Sequence, residues 1–134
     1  MKDNHIRAAR GLTNAIDSIQ RTRRELLLEV EVESLDQLRE ALRPEVDRIL
    51  VDNQPPDLVR RCVEEVDRWL GENPPDHPRA RAGARRWPEV EVSGGLGLAT
   101  IRAYAETGAD YLSVGALTHS ASALDLSLEI EEIG

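Results

Sequence analysis

The chain has 134 residues, enough for one ordinary domain, and its 40% apolar and 31% charged residues are the composition of a soluble globular protein. A net charge of −8 argues against a nucleic-acid partner, because such surfaces need clustered Lys and Arg to displace counterions. No apolar run reaches the length of a membrane span, no apolar signal core opens the chain, and the single cysteine, Cys62, can form no internal disulfide, so a cytoplasmic protein with no membrane partner is expected.

The chain starts with "KDNH" (residues 2–5), polar and charged residues of the kind found in a functional loop. With no phenylalanine, the core must be built from Leu, Val, Ile and Ala. From Gly11, Leu12, Ala15, Ile16 and Ile19 recur at helical spacing. "LLLEVEV" (Leu26–Val32) reads as a strand, and Ser34 with Gln37 three residues on reads as a capping box for a helix carrying Leu35, Leu38 and Leu42. "RILVD" (Arg48–Asp52) is a second strand. Pro55 and Pro56 open the clearest amphipathic helix, with Leu58, Val59, Cys62, Val63, Val66, Trp69 and Leu70 on one stripe; Cys62 reads there as a core filler rather than a nucleophile. Gly71–Pro88, rich in proline and arginine, reads as a long exposed loop, a solvated linker more readily than a phosphate-binding patch. "VEVS" (Val90–Ser93) is a third strand, a helix with Leu98, Ile101 and Ala105 stops at Gly108, and Asp110–Gly115 is a fourth strand. Leu124–Ile130 alternates like a fifth, edge-type strand.

Strands alternating with helices predict an α/β fold of about four parallel βα units. These fit half of a (β/α)₈ barrel or a small open sheet. In both, ligands bind at the C-terminal ends of the strands. The exits carry Glu31 and Glu33, Asp52 and Asn53, Ser93-Gly94-Gly95, and Gly115. Alternation sets Glu29, Glu31 and Glu33 on one face, either the wet face of an edge strand or the lining of a polar lumen; Glu91 and Ser93 share a face in the same way. Converging Glu31 and Asp52 would suit Mg²⁺ or sugar hydroxyls. "SGGLG" (Ser93–Gly97) and "SVGALTHS" (Ser113–Ser120) read as neighbouring glycine turns for a phosphate, with backbone N–H groups and a helix N-terminus facing the anion. His119 is a ligand contact or a cap.

The stretches "KDNHI", "EVEVESLDQLREAL", "ILVDN", "EVSGG", "IRAYAETGADYLSVGALTHS" and "ALDLSLEI", in this order, resemble the C-terminal half of the quinolinate phosphoribosyltransferases, also called carboxylating nicotinate-nucleotide pyrophosphorylases. The resemblance implies that residues 1–134 are the C-terminal part of an α/β-barrel phosphoribosyltransferase domain, a partial barrel. It implies an enzyme of de novo NAD synthesis that makes nicotinate mononucleotide from quinolinate and phosphoribosyl pyrophosphate (PRPP), uses Mg²⁺ and works as a homodimer. Carried over by motif, Lys2 faces the substrates' anionic groups. Glu31 and Asp52 surround the ribose hydroxyls and Mg²⁺. Ser93, Gly94, Gly95 and Gly115 cradle the 5′-phosphate, and His119 lines the same site. The family's N-terminal domain, its first barrel strands and its quinolinate-gripping arginine, histidine and lysine have no counterpart in these residues. The expectation is therefore a truncated form with little or no activity alone, in which "KDNH" is the exit loop of an absent strand. A non-catalytic phosphoribosyl-binding remnant or interaction subunit, and a different phosphate-binding barrel enzyme, are the alternatives.

Overall fold

A computed structural model describes Met1 and residues 9–22, 26–74 and 86–119. Lys2, the arginines of residues 75–85 and the expected strand Leu124–Ile130 lie outside the described residues. In chain order the elements are α1 (Leu12–Thr22), β1 (Glu29–Val32), α2 (Leu35–Ala41), β2 (Arg48–Asp52), α3 (Pro56–Glu72), β3 (Glu89–Ser93), α4 (Ile101–Ala105), β4 (Tyr111–Leu112) and α5 (Ala116–His119). The four strands form one sheet in the order β1-β2-β3-β4, and every pair is parallel. Parallel neighbours require a crossover, and each crossover contains a helix.

Register explains the two faces. Val30, Ile49 and Val90 lie abreast, as do Val32, Val51, Val92 and Leu112. All but Leu112, which is partly buried and packs against them, join Leu12 and Ile16 of α1, Leu38 of α2, and Val59, Cys62, Val63 and Val66 of α3 in one buried cluster. The opposite face carries Glu29 and Glu31, Arg48 and Asp52, Glu89, Glu91 and Ser93, and Tyr111, interrupted by Leu50. Charge thus runs across the central strands as well as β1, which is the lining of a polar interior rather than one wet edge strand. Arg48 sits in its middle. It pairs with Glu89 and Glu91 at 2.9 Å each and with Glu29 at 3.8 Å, and its guanidinium lies 4.2 Å from the centre of the Tyr111 ring. Burial pulls the Arg48 pKa down, but the hydrogen bonds and charges of Glu89 and Glu91 outweigh it and raise the pKa.

The capping box at Ser34 is present. The Gln37 N–H donates to Ser34 Oγ at 3.3 Å, and Gln37 Oε1 accepts from the Glu33 N–H at 2.7 Å. Several boundaries differ from the sequence reading, among them the fourth strand, expected over Asp110–Gly115 and spanning only Tyr111–Leu112, where it pairs with β3. The first strand starts at Glu29, and Leu26 and Leu27 are exposed, because pairing begins where Leu28 meets Asp47 and Arg48. The helix expected from Leu98 starts at Ile101 and leaves Leu98 on the surface; its glycine stop, Gly108, has a φ of +86°. The Gly71–Pro88 segment is not an exposed loop throughout: Gly71 and Glu72 end α3, and Arg86, Trp87 and Pro88 are buried. Met1 lies beside β1, its carbonyl accepting from the Glu31 N–H at 3.0 Å and its nitrogen donating to the Glu29 carbonyl. That alternation is the bonding of a parallel neighbour.

Candidate functional site

At the C-terminal end of β1 and β2, the carboxylates of Glu31, Glu33 and Asp52 offer oxygens that all lie within 4.8 Å of one another. Strand alternation aims Glu31 at the polar face, and Glu33 follows two residues on, held by the Gln37 cap. Asp52 ends β2, directly abreast of Ser93. Three hard oxygen donors from two strand exits fit a divalent cation or a vicinal diol. Sequence reasoning named Glu31 and Asp52 as the pair and left Glu33 only as a residue at the strand exit.

The second half of the site is a cleft of about 380 Å³ at the ends of β3 and β4, lined by Ser93, Gly94, Gly95, Leu96, Ser113, Gly115 and Ala116. The expected residues Ser93, Gly94, Gly95 and Gly115 are therefore brought together, and Ser113, at the start of the second glycine turn, joins them. Gly94 and Gly95 have φ of +86° and +66°. Gly94 is required by contact as well: a Cβ there would stand 2.8 Å from the Asn53 nitrogen. Asn53 itself adopts a φ of +50° and donates its N–H to the Ser93 carbonyl at 2.8 Å. This close approach of two exit loops joins the acidic half of the site to the glycine half. Among the described residues, the Gly94 and Gly95 amides have no protein acceptor. The expected helix N-terminus does not sit behind them, since α4 begins six residues after Gly95. At that turn an anion would meet bare backbone N–H groups, whereas the short α5 starts directly after Gly115 on the other side of the cleft. His119 is the last residue of α5, at the same end of the sheet; its side chain lies outside the described set, as does all of Lys2.

The family profile described as "Quinolinate phosphoribosyl transferase, C-terminal domain" matches residues 1–129. The chain is 39% identical over 132 residues to the nicotinate-nucleotide pyrophosphorylase (carboxylating) of Mycobacterium leprae, covering 97% of this chain and 40% of that protein. It is 33% identical over 141 residues to a tobacco quinolinate phosphoribosyltransferase (decarboxylating), covering 98% and 38%. Among solved structures, nicotinate-nucleotide pyrophosphorylases from Francisella tularensis and Ehrlichia chaffeensis superpose with TM-scores of 0.73 and 0.71. Their identities are 31% and 28%, over 95% and 90% of this chain and 39% and 37% of theirs. The chain thus spans about two fifths of the length of these relatives. Its open parallel sheet is part of their α/β barrel. By profile, sequence and fold together, the chain belongs to the quinolinate phosphoribosyl transferase C-terminal domain family.

Proposed function

We propose that this chain supplies the phosphoribosyl-binding part of a quinolinate phosphoribosyltransferase, a cytoplasmic, homodimeric enzyme that converts quinolinate and PRPP into nicotinate mononucleotide, pyrophosphate and carbon dioxide. One observation carries the reading. A three-carboxylate cluster and a glycine-lined cleft open at the same end of one parallel sheet and touch through Asn53 and Gly94.

In this reading Glu31 and Asp52 take the ribose hydroxyls, and with Glu33 they would hold Mg²⁺. The donor set fits: oxygens within 4.8 Å of one another are close to the roughly 4.2 Å that separates opposite ligands of that ion. Held there, Mg²⁺ would supply positive charge to offset that of a departing pyrophosphate. The carboxylates of Glu31 and Asp52 stabilise the positive charge that develops on the sugar as the quinolinate nitrogen approaches the anomeric carbon. The Gly94, Gly95 and Gly115 amides and the Ser93 hydroxyl anchor the 5′-phosphate, which fixes the sugar's position for in-line attack. Lys2 and His119 complete the anionic contacts.

Titration calorimetry of the purified chain with PRPP and Mg²⁺ tests this. Binding is expected, with Glu31→Gln and Asp52→Asn each weakening it about tenfold or more, the loss of one charge-assisted contact. Unchanged PRPP affinity in both variants would favour a different phosphate-binding barrel.

A further inference from the structure

Two serines face the cleft, and their protons are spent differently. Ser113 donates its hydroxyl to Glu91 Oε1, while Glu91 Oε2 is held by Arg48 at 2.9 Å. Arg48 is itself fixed by Glu89 at 2.9 Å and by the Tyr111 ring, and Tyr111 donates its hydroxyl to Glu89 at 3.0 Å. Glu91 is thus clamped from beneath, its side chain only 15% exposed. A hydroxyl has one proton and two lone pairs. With its proton committed to a carboxylate, Ser113 turns only lone pairs toward the cleft. Ser93, one register step past the Val92–Leu112 pair, has no such partner among the described residues, so its proton is free for an anion.

We infer that Glu91 is a positioning residue that makes Ser113 an acceptor for a sugar hydroxyl, so that the cleft selects a phosphorylated sugar over free phosphate. The phosphate goes to the Ser93 hydroxyl and the glycine amides; a phosphate oxygen against Ser113 would set lone pair against lone pair. The inference rests on the proposed function only in taking the cleft's ligand to be a phosphosugar.

The experiment measures affinity for ribose 5-phosphate and for inorganic phosphate on the full chain and its variants, with thermal melts alongside. Ser113→Ala, at an exposed position, is expected to weaken ribose 5-phosphate about five- to tenfold and phosphate less than twofold, with the melting temperature unchanged. Ser113→Thr restores the hydroxyl and the affinity. Glu91→Gln is the sharper arm. Arg48 keeps the amide oxygen, the amide N–H₂ then faces Ser113, and the freed Ser113 proton turns to the cleft. Phosphate is expected to bind as well as before or more tightly, while ribose 5-phosphate weakens. Equal losses for both ligands in Ser113→Ala, no change in either, or a wild-type chain that binds neither overturns the inference. A chain that discriminates as expected but does not bind PRPP defeats the proposed function alone; one that binds PRPP with the ligand ratio unmoved by Ser113→Ala defeats the inference alone.

Discussion

At the scale of single residues, the site depends on backbone shapes that side chains resist. Gly94 combines a φ of +86° with a Cβ position 2.8 Å from the Asn53 nitrogen and 2.9 Å from its Cα, main-chain atoms that cannot swing away. Gly97, four residues from the end of β3, has open space around it and an ordinary φ. Gly94→Ala should therefore cost about 1–3 kcal/mol, against less than about 0.5 kcal/mol for Gly97→Ala. Paired urea melts read the difference, and equal midpoints would remove the steric role assigned to Gly94. Much of this was legible in "SGG" after a strand, because glycine there implies either a strained turn or a close approach. What the sequence does not carry is the partner. That Asn53 is what Gly94 must avoid, and that the Ser113 hydroxyl is bonded to Glu91, follow from strand order and register, which no local pattern states.

At the scale of elements, α3 is legible from Pro56 to Leu70, all but its last two residues, and shows why. Its apolar residues keep helical period over its whole length, Pro56 sits in its first turn, and Val59, Cys62, Val63 and Val66 are all buried as the stripe requires. Cys62 is 1% exposed, and burial pushes its thiol up to about 11; Arg61 opposes that shift and Glu65 adds to it. A pKa raised above the ordinary 9.0 means the fold favours the neutral thiol. The contribution is whole below pH 9 and is lost as pH rises toward 11. Alkylation at pH 8 should therefore be about a hundredfold slower in the native chain than in urea, since thiolate is the nucleophile. Comparable rates in the two states would contradict the burial. Elements that lacked such redundancy were misjudged. "LLLEVEV" has no alternation in its first three residues, so the strand's start depended on where Asp47 meets Leu28. The four-residue β1 and two-residue β4 take their places from pairing with β2 and β3, not from their own propensity.

At the scale of the whole molecule, the parallel sheet separates two jobs by its two ends. The candidate ligand groups gather where the strands exit, and cross-links gather where they enter. Arg86 is the chief cross-link. Its side chain is 1% exposed; Nε pairs with Asp67 of α3 at 3.0 Å, and Nη1 reaches the Gly108 carbonyl at 2.7 Å and Asp110 at 3.3 Å. Asp110 in turn accepts from the Val90 N–H at 2.8 Å. One guanidinium thus ties α3, β3 and the entry to β4. Composition hid this: an arginine among prolines reads as solvated loop, and its partners lie 19 to 24 residues away. Removing it leaves Asp110 and the Gly108 carbonyl shielded with no cation, a loss of the kind that costs about 3–5 kcal/mol. Arg102, 90% exposed and paired among the described residues only with Glu106 at the end of its own helix, should cost less than about 0.5 kcal/mol when replaced. Chemical denaturation of Arg86→Ala beside Arg102→Ala measures both. If Arg86→Ala proves as mild as its exposed counterpart, the entry end of the sheet is held by the apolar cluster alone. The expected gap would instead make this buried charge a part of the fold on which the opposite end, with its carboxylates and glycine turns, depends for its geometry.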